Sequence, residues 1–447
     1  MVSQSELEFI SEINGIIGEE LEEIPKVERK SLGYAVSDGH ITELGLYIAA
    51  LKEVPESIGS MRWLKKLYLD HNRLSTLPDA IGNLTALEEL YLDHNESMLL
   101  PDAIGKLTSL RHLDASVNKP TKLPDSIGQL TSLETLNLVG SRQETLPDSI
   151  GNLKSLERLN LEWNSLLTSL PDSIGNLTSL KELILGAANL TSLPDTIGNL
   201  ESLEILYLDA NKLTSLPDSI GNLKSLEVLN LEGRTLTSLP ESIGGLASLK
   251  ELKLYGNKLS SLPDTFGNLT SLESLDLSQN KFSQFPNPVT KMEWLKMLDL
   301  AMNNLTSLPD ALGNLTSLKG LFLYENGITS LPDSIGNLKS LEFLNLNENG
   351  LTRLPDSIGR LESLKKLYLD SNQLKQLPES IGNLKSLKYL SLRENNLSTL
   401  PRSMGNLKSL LSILLHSNDF SSVTGDLKET ISRLRKNRCS IDGLYLR

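Results

Sequence analysis

The sequence predicts an α/β solenoid. One parallel β-sheet lines a concave face, and short 3₁₀ or extended segments return along the convex face. Three observations carry this reading. A Leu-x-x-Leu-x-Leu pattern recurs at a fixed step, apolar and polar residues alternate inside each copy, and a Pro-Asp-Ser-Ile-Gly stretch separates many copies.

The unit is clearest in Leu331–Asn349, LPDSIGNLKSLEFLNLNEN. Leu341, Leu344 and Leu346 form the pattern, and Asn349 follows three residues after the last Leu. Copies begin at Ile41, Leu64, Leu87, Leu110, Leu133 and Leu156, then at Leu180 and onward to Leu410. The step is 23 residues, except for one 24-residue step between Leu156 and Leu180. A fixed period in this range marks stacked repeats, each of which buries its apolar face against its neighbours.

Each element follows from the unit. Leu344 and Leu346 alternate with Phe343, Asn345 and Asn347, the period-two signature of a short strand with one buried face. Asn349 ends the strand. Its amide offers two donors and an acceptor, so it can satisfy backbone groups at the turn and stack on the next Asn. Asn holds this place in thirteen copies, among them Asn257, Asn280, Asn303, Asn326, Asn349 and Asn372; Ala49, Ser141, Ala188 and Arg234 interrupt it. In the return half, Pro presets φ for a single helical turn, and the Gly four residues later is expected to permit a left-handed exit.

The stretch LPDSIGNLTSL followed by the Leu and Asn positions resembles the leucine-rich repeat family. It is most similar to the 23-residue intracellular type of plant Ras-group-related proteins, Scribble-type scaffolds and prokaryotic repeat proteins. The resemblance spans about residues 41–420 and implies a horseshoe of seventeen repeats. For function it implies protein binding along the concave sheet.

Composition narrows the function classes. The net charge is -13 in 447 residues. Nucleic acid and anionic membrane both demand basic surface, so neither is expected as a main partner. The lone Cys439 cannot form the paired end-closing cysteines common in extracellular members of that family, which points to a reducing compartment. The start MVSQSELEFI shows no basic segment followed by an apolar run, and no window approaches membrane-spanning length. A cytoplasmic location is therefore expected.

Residues 1–40 do not repeat. Leu7, Ile10, Ile13, Ile17 and Leu21 have roughly helical spacing; Gly15 and Gly18 are candidate break points, and Pro25 is expected to end the helix at the latest. A hairpin follows, turning at Ser37-Asp38-Gly39-His40. Together they read as an N-terminal cap for the open edge of the first repeat. The seventeen repeats fill 41–423. Residues 424–447 read as a C-terminal cap: a helix to about Lys436, then Ile441, Leu444 and Leu446 restating half a repeat. The basic residues near that end, including Arg447, could also lower the Cys439 pKa.

Candidate binding residues lie at outward strand positions and just beyond. In the first repeats these are Tyr68, Asp70, Tyr91 and Asp93, with His71 and His94 directly after the acids. The columns read either as a solvated ladder copied by duplication or as a partner-binding patch, with a weak metal site of His71, His94 and Asp93 as a further reading. Residues 114–143 are the least regular, with Ala115, Pro120, Ser141 and Gln143 replacing consensus residues. The irregularity runs on to about residue 188. Three readings are open here: the repeats have drifted under weak selection, the solenoid bends or loosens, or a ligand contacts this edge. Arg158, Glu162, Trp163, Tyr207 and Asp209 should face the concavity nearby, and an exposed Trp among charges is a hot-spot candidate. In the later repeats Phe322, Tyr324, Phe343, Tyr368 and Tyr389 gather on the outward face. Trp63 and Trp294 read as packing variants.

No constellation of nucleophile, base or phosphate-cradling loop is present in the sequence. No catalytic residue, cofactor or metal is assigned, and no enzyme activity is expected. The function expected is a protein-interaction module or scaffold. The rivals are a receptor or effector for a peptide or small ligand at the irregular repeats, and a protein that self-associates weakly through its terminal edges.

Overall fold

The computed structural model describes residues 2–95, 98–119, 122–420 and 425–443. Pro120, Leu444, Leu446 and Arg447 lie outside the described residues. The chain forms two compact units, Met1–Asn230 and Leu231–Arg447.

The first unit starts with helix α1, Gln4–Ile17. Ser3 caps it: its hydroxyl accepts the Glu6 N–H, while the Glu6 carboxylate accepts the Ser3 N–H at 3.0 Å. This reciprocal box satisfies two of the N–H groups that a helix start leaves bare. Phe9, Ile10 and Ile13 form its buried stripe. The helix ends at Gly18, φ 75°, whose N–H donates to the Asn14 carbonyl. A left-handed glycine thus stops it before the expected Pro25 is reached.

Strands β1, Leu32–Ser37, and β2, His40–Leu46, form the antiparallel hairpin. Asp38 and Gly39 both have positive φ, 55° and 81°, which matches the twist of a two-residue hairpin turn. β2 carries the first repeat, with Ile41, Leu44 and Leu46 fully buried. The outer edge of β1 is itself covered: Ile24 N–H donates to Tyr34 O at 2.8 Å, and Tyr34 N–H to Glu22 O at 3.1 Å.

From Lys66–Tyr68 to Val228–Asn230 every strand pairs in parallel with the next, Leu opposite Leu. The pairing does not loosen through the irregular repeats. Thr135↔Arg158 and Arg158↔Glu182 keep register across the 24-residue step. The extra residue is taken up in the turn at Leu166, which is 44% exposed beside the fully buried Leu167. Ser141 stands in for the ladder Asn, its hydroxyl donating to Ala115 O at 2.9 Å.

The second unit repeats the design from Glu251–Lys253 to Ser412–Leu414. Helix α2, Gly425–Lys436, follows and buries Leu427, Ile431 and Leu434. A last strand, Ser440–Asp442, pairs in parallel with Ser412–Leu414.

The ladder asparagines link successive repeats. Asn349 Nδ2 donates to Leu323 O of the preceding repeat at 2.9 Å and to Leu346 O at 3.2 Å, while its Oδ1 accepts the Ile328 N–H at 3.0 Å. Asn257, Asn280, Asn303, Asn326 and Asn372 repeat this scheme, each bonding a Leu carbonyl 26 residues earlier. The bonds run from side chain to backbone, so the expected stacking of Asn on Asn is not what holds the ladder.

The return turns are five-residue 3₁₀ segments such as Asp333–Asn337, each preceded by an extended Pro. Their Gly does not supply a left-handed exit. A Cβ on Gly359 would sit 2.3 Å from Ser380 O of the next repeat, and one on Gly128 2.3 Å from Ser149 O. Glycine is required there for close approach. The left-handed residue lies instead just before the ladder Asn and is rarely Gly: Glu325, Glu348 and Ser371 have φ 52°, 54° and 54°. The turn bonds made by the Asn hold this backbone, which carries a modest intrinsic cost for an L-residue.

Candidate binding surface

In the second unit, strand positions on the solvated face bring aromatic side chains together. Parallel register sets Gly320 beside Phe343 and Phe322 beside Asn345; in the next pair Phe343 faces Lys366 and Asn345 faces Tyr368. Phe322, Phe343 and Tyr368 therefore zigzag between two columns. Their rings touch along that diagonal, Phe322 to Phe343 at 5.0 Å between centroids and Phe343 to Tyr368 at 5.3 Å. These tilted contacts lie in the favoured range for aromatic pairs.

Two neighbours extend the ridge. Lys366 Nζ lies 5.6 Å from the Phe343 ring and 5.6 Å from the Tyr389 ring, and Tyr389 is 40% exposed. At the other end Gly320 leaves room for the Met297 side chain: a Cβ there would lie 2.5 Å from Met297 Cε and 3.3 Å from Phe322 Cε2. Sequence reading singled out the aromatics but missed Lys366 and Met297. Their signal is present in the register, since both occupy the Phe343 column.

Tyr324 stands beyond its strand, half-buried, and burial with the nearby Asp299 carboxylate raises its pKa. Asp299 pairs in register with Asp276. Burial pushes the Asp299 carboxyl up to about 6, and the Asp276 charge adds to this, although the Ala301 N–H donates to Asp299 Oδ1 at 2.9 Å. Both acids escaped notice in the sequence because each looks like an ordinary polar strand position.

The first unit differs. Tyr68, Asp70 and Asp93 occupy the expected columns but are not open, with exposures of 6%, 1% and 3%. The N-terminal segment lies over them. Val27 and Ala35 pack on Tyr68 together with Ile24 and Tyr91, and Tyr68 stacks on Tyr91 at 4.8 Å. Arg29 reaches across the face, donating to Asp93 Oδ1 at 2.6 Å and Asp114 Oδ2 at 2.9 Å. Its guanidinium sits 5.1 Å from the Tyr91 ring. This corrects the expectation of an open aromatic patch in the first repeats: the cap covers the face as well as the sheet edge. Burial pushes the Asp70 carboxyl up to about 6, and the adjacent Asp93 charge adds to the shift.

Beyond the cap the face reopens. Arg158 is exposed and pairs with Glu182 at 3.1 Å. Trp163, 66% exposed, lies in the left-handed turn beyond its strand rather than on it, and its indole N–H donates to Glu162 Oε1 at 2.9 Å. Tyr207 lies between Ile184 and Asn230 in register. Asp209 Oδ1 accepts from Asn230 Nδ2 at 3.4 Å and fills the space left by Gly186, whose Cβ would lie 2.9 Å away. A shallow depression is lined by Tyr91, His112, Asp114, Asn137, Arg158 and Asn160.

Of the two tryptophans read as packing variants, Trp63 is 57% exposed and stacks on His40 at 4.8 Å. Trp294 donates to Leu269 O at 3.1 Å. The basic residues near Cys439 do not lower its pKa. The thiol is buried, and burial pushes its pKa up to about 11.

A model described as "Leucine-rich repeat region" matches residues 20–120, 110–188, 183–260 and 318–436. The chain belongs to the leucine-rich repeat family. Further leucine-rich repeat models match 247–288 and 294–315. No curated protein matches the chain. Among solved structures, a leucine-rich repeat protein of Leptospira interrogans is 39% identical, aligned over 88% of this chain and 99% of that one, with a TM-score of 0.77. A TDR receptor is 30% identical over 84% of this chain and 68% of that one, TM-score 0.65. An internalin from Listeria monocytogenes is 24% identical over 71% of this chain and 89% of that one, TM-score 0.58, a likeness in fold alone. Leucine-rich repeat proteins generally act by binding other proteins and are typically not enzymes. Among the described residues no helix is long and apolar enough to cross a membrane.

Proposed function

We propose that this leucine-rich repeat chain is a protein-interaction module or scaffold that docks a protein partner on the aromatic ridge of its second unit. The observation that carries the reading is the continuous ring contact from Phe322 through Phe343 to Tyr368, flanked by Met297, Lys366 and Tyr389. Aromatic residues and Met are the types enriched at protein interfaces. The leucines beneath, Leu321, Leu344 and Leu367, are fully buried and hold the strands in place. A surface so preorganised loses little backbone entropy on binding. The single buried thiol of Cys439 supports placing this interaction in a reducing compartment such as the cytoplasm.

Affinity capture from native cell extract tests the proposal. Wild-type chain should retain a protein that the Phe343→Ser/Tyr368→Ser variant loses, and Tyr207→Ser should behave as wild type. Equal capture by the ridge variant would defeat it.

The depression around His112, Asn137 and Arg158 supports a second reading, a receptor or effector site for a peptide or small ligand in the irregular repeats. Thermal-shift screening separates the two. Stabilisation by a compound, abolished by Arg158→Ala but not by Phe343→Ser, would favour the second.

A further inference from the structure

Histidine occurs in two successive repeats at the left-handed position before the ladder Asn. His71 and His94 have φ 57° and 56°. The shared backbone conformation projects both rings the same way, and they stack with centroids 4.2 Å apart and planes 19° from parallel. The Asp93 carboxylate approaches the Nδ1 atoms of both rings. Its Oδ2 is 3.0 Å from His94 Nδ1 and 3.9 Å from His71 Nδ1. One ligand atom from each of His71, Asp93 and His94 lies within 4.8 Å of the other two.

The surroundings suit a cation. Asp93 Oδ1 is engaged by Arg29, which fixes the carboxylate and leaves Oδ2 turned to the imidazoles. Asp70 is 1% exposed, its Oδ1 has no hydrogen-bond partner, and its Oδ2 lies 3.8 Å from His71 Nδ1. Asp114 shares Arg29 with Asp93. Three carboxylates thus face one guanidinium, and a buried, unpartnered carboxylate oxygen is costly unless some positive charge or donor reaches it.

We propose that His71, Asp93 and His94 bind a divalent cation of the zinc class. Two imidazoles and one carboxylate are a borderline-soft donor set that favours zinc and its neighbours over magnesium or calcium, which prefer oxygen shells. The ion takes the place of the hydrogen bond between His94 Nδ1 and Asp93 Oδ2, any proton on Nδ1 leaving to solvent, and ties together the turns of two consecutive repeats. Arg29 acts as a positioning residue through its bond to Asp93. Both rings are partly exposed, with side-chain exposures of 38% and 47%, so water completes the shell.

The test uses the full chain, freed of metal by chelation and dialysis and titrated calorimetrically with Zn²⁺ alone. Saturation at one ion per chain is expected. His71→Ala and His94→Ala should each weaken binding at least tenfold, and Co²⁺ in place of Zn²⁺ should give visible d–d absorption that a His71→Gln/His94→Gln double variant loses. Wild-type chain that binds no zinc saturably would overturn the proposal. So would a folded His71→Gln/His94→Gln double variant that keeps wild-type affinity; circular dichroism of that variant reports its fold.

Discussion

Arg29 and Asp93 are 64 residues apart in sequence, yet the guanidinium donates to the carboxylate at 2.6 Å. That bond draws the N-terminal segment over the strand face and encloses Tyr68. It sorts the solvated face into a capped part in the first repeats and an open part beyond.

Arg29→Ala should free this segment. Asp93 and Asp114, with side chains only 5% and 9% exposed, would lose their shared cation. Stranding buried charge is costly, but Arg29 is half-exposed, so water screens part of the loss; a destabilisation of about 1–2 kcal/mol is expected. Urea unfolding gives the magnitude. Hydrogen exchange should show faster amide exchange at Ile24 and Tyr34, whose N–H groups hold the segment to the β1 edge.

Asn349→Ala should cost about 1–3 kcal/mol, since it leaves the Leu323 and Leu346 carbonyls and the Ile328 N–H without their side-chain partner. Chemical denaturation checks it. Leu344→Ala, at a fully buried strand centre, should cost roughly 2–5 kcal/mol as a core truncation.

Gly359→Ala and Gly15→Ala form a contrasting pair. A Cβ at Gly359 collides with Ser380 O at 2.3 Å, whereas nothing lies within 4 Å at Gly15 in α1. The first should destabilise by about 1–3 kcal/mol through overpacking. The second should be neutral or stabilise by up to about 1 kcal/mol, because Ala favours a helix interior over Gly. Equal effects in thermal melts would refute the close-approach explanation.

Asp299 sets a pH dependence. Its folded pKa of about 6 lies above the ordinary 3.8, so the native state binds the proton more tightly than the unfolded chain. Stability from this group is therefore highest below pH 4 and declines as pH rises towards 6, with the full penalty of roughly 2–3 kcal/mol above that. Asn in its place keeps an oxygen for the Ala301 N–H. Asp299→Asn should be more stable than wild type at pH 8 and gain nothing at pH 4, as measured by denaturation at the two pH values.

The leucine core and the ladder were legible because both repeat: a residue that returns every 23 positions at Leu344 and Asn349 announces its shared environment. Glycine recurs equally well, but the period reveals no φ, and the role of Gly359 rests on a neighbour 21 residues later. Covering of Tyr68 by Val27 and of Tyr91 by Arg29 was not legible, since a single unrepeated segment makes both contacts. The aromatic residues of the ridge were readable one by one. Their columns follow from the 23-residue step, which sets Phe343 beside Lys366 and Asn345 beside Tyr368; what the structure adds is the ring contact along the diagonal.

The central claim is that the partner sits on the ridge. Its most direct measurement is calorimetric titration of the captured, purified partner into wild-type chain and the Phe343→Ser/Tyr368→Ser variant. Loss of these central rings should weaken binding by at least tenfold while the fold persists. An unchanged dissociation constant in the folded variant would contradict the account.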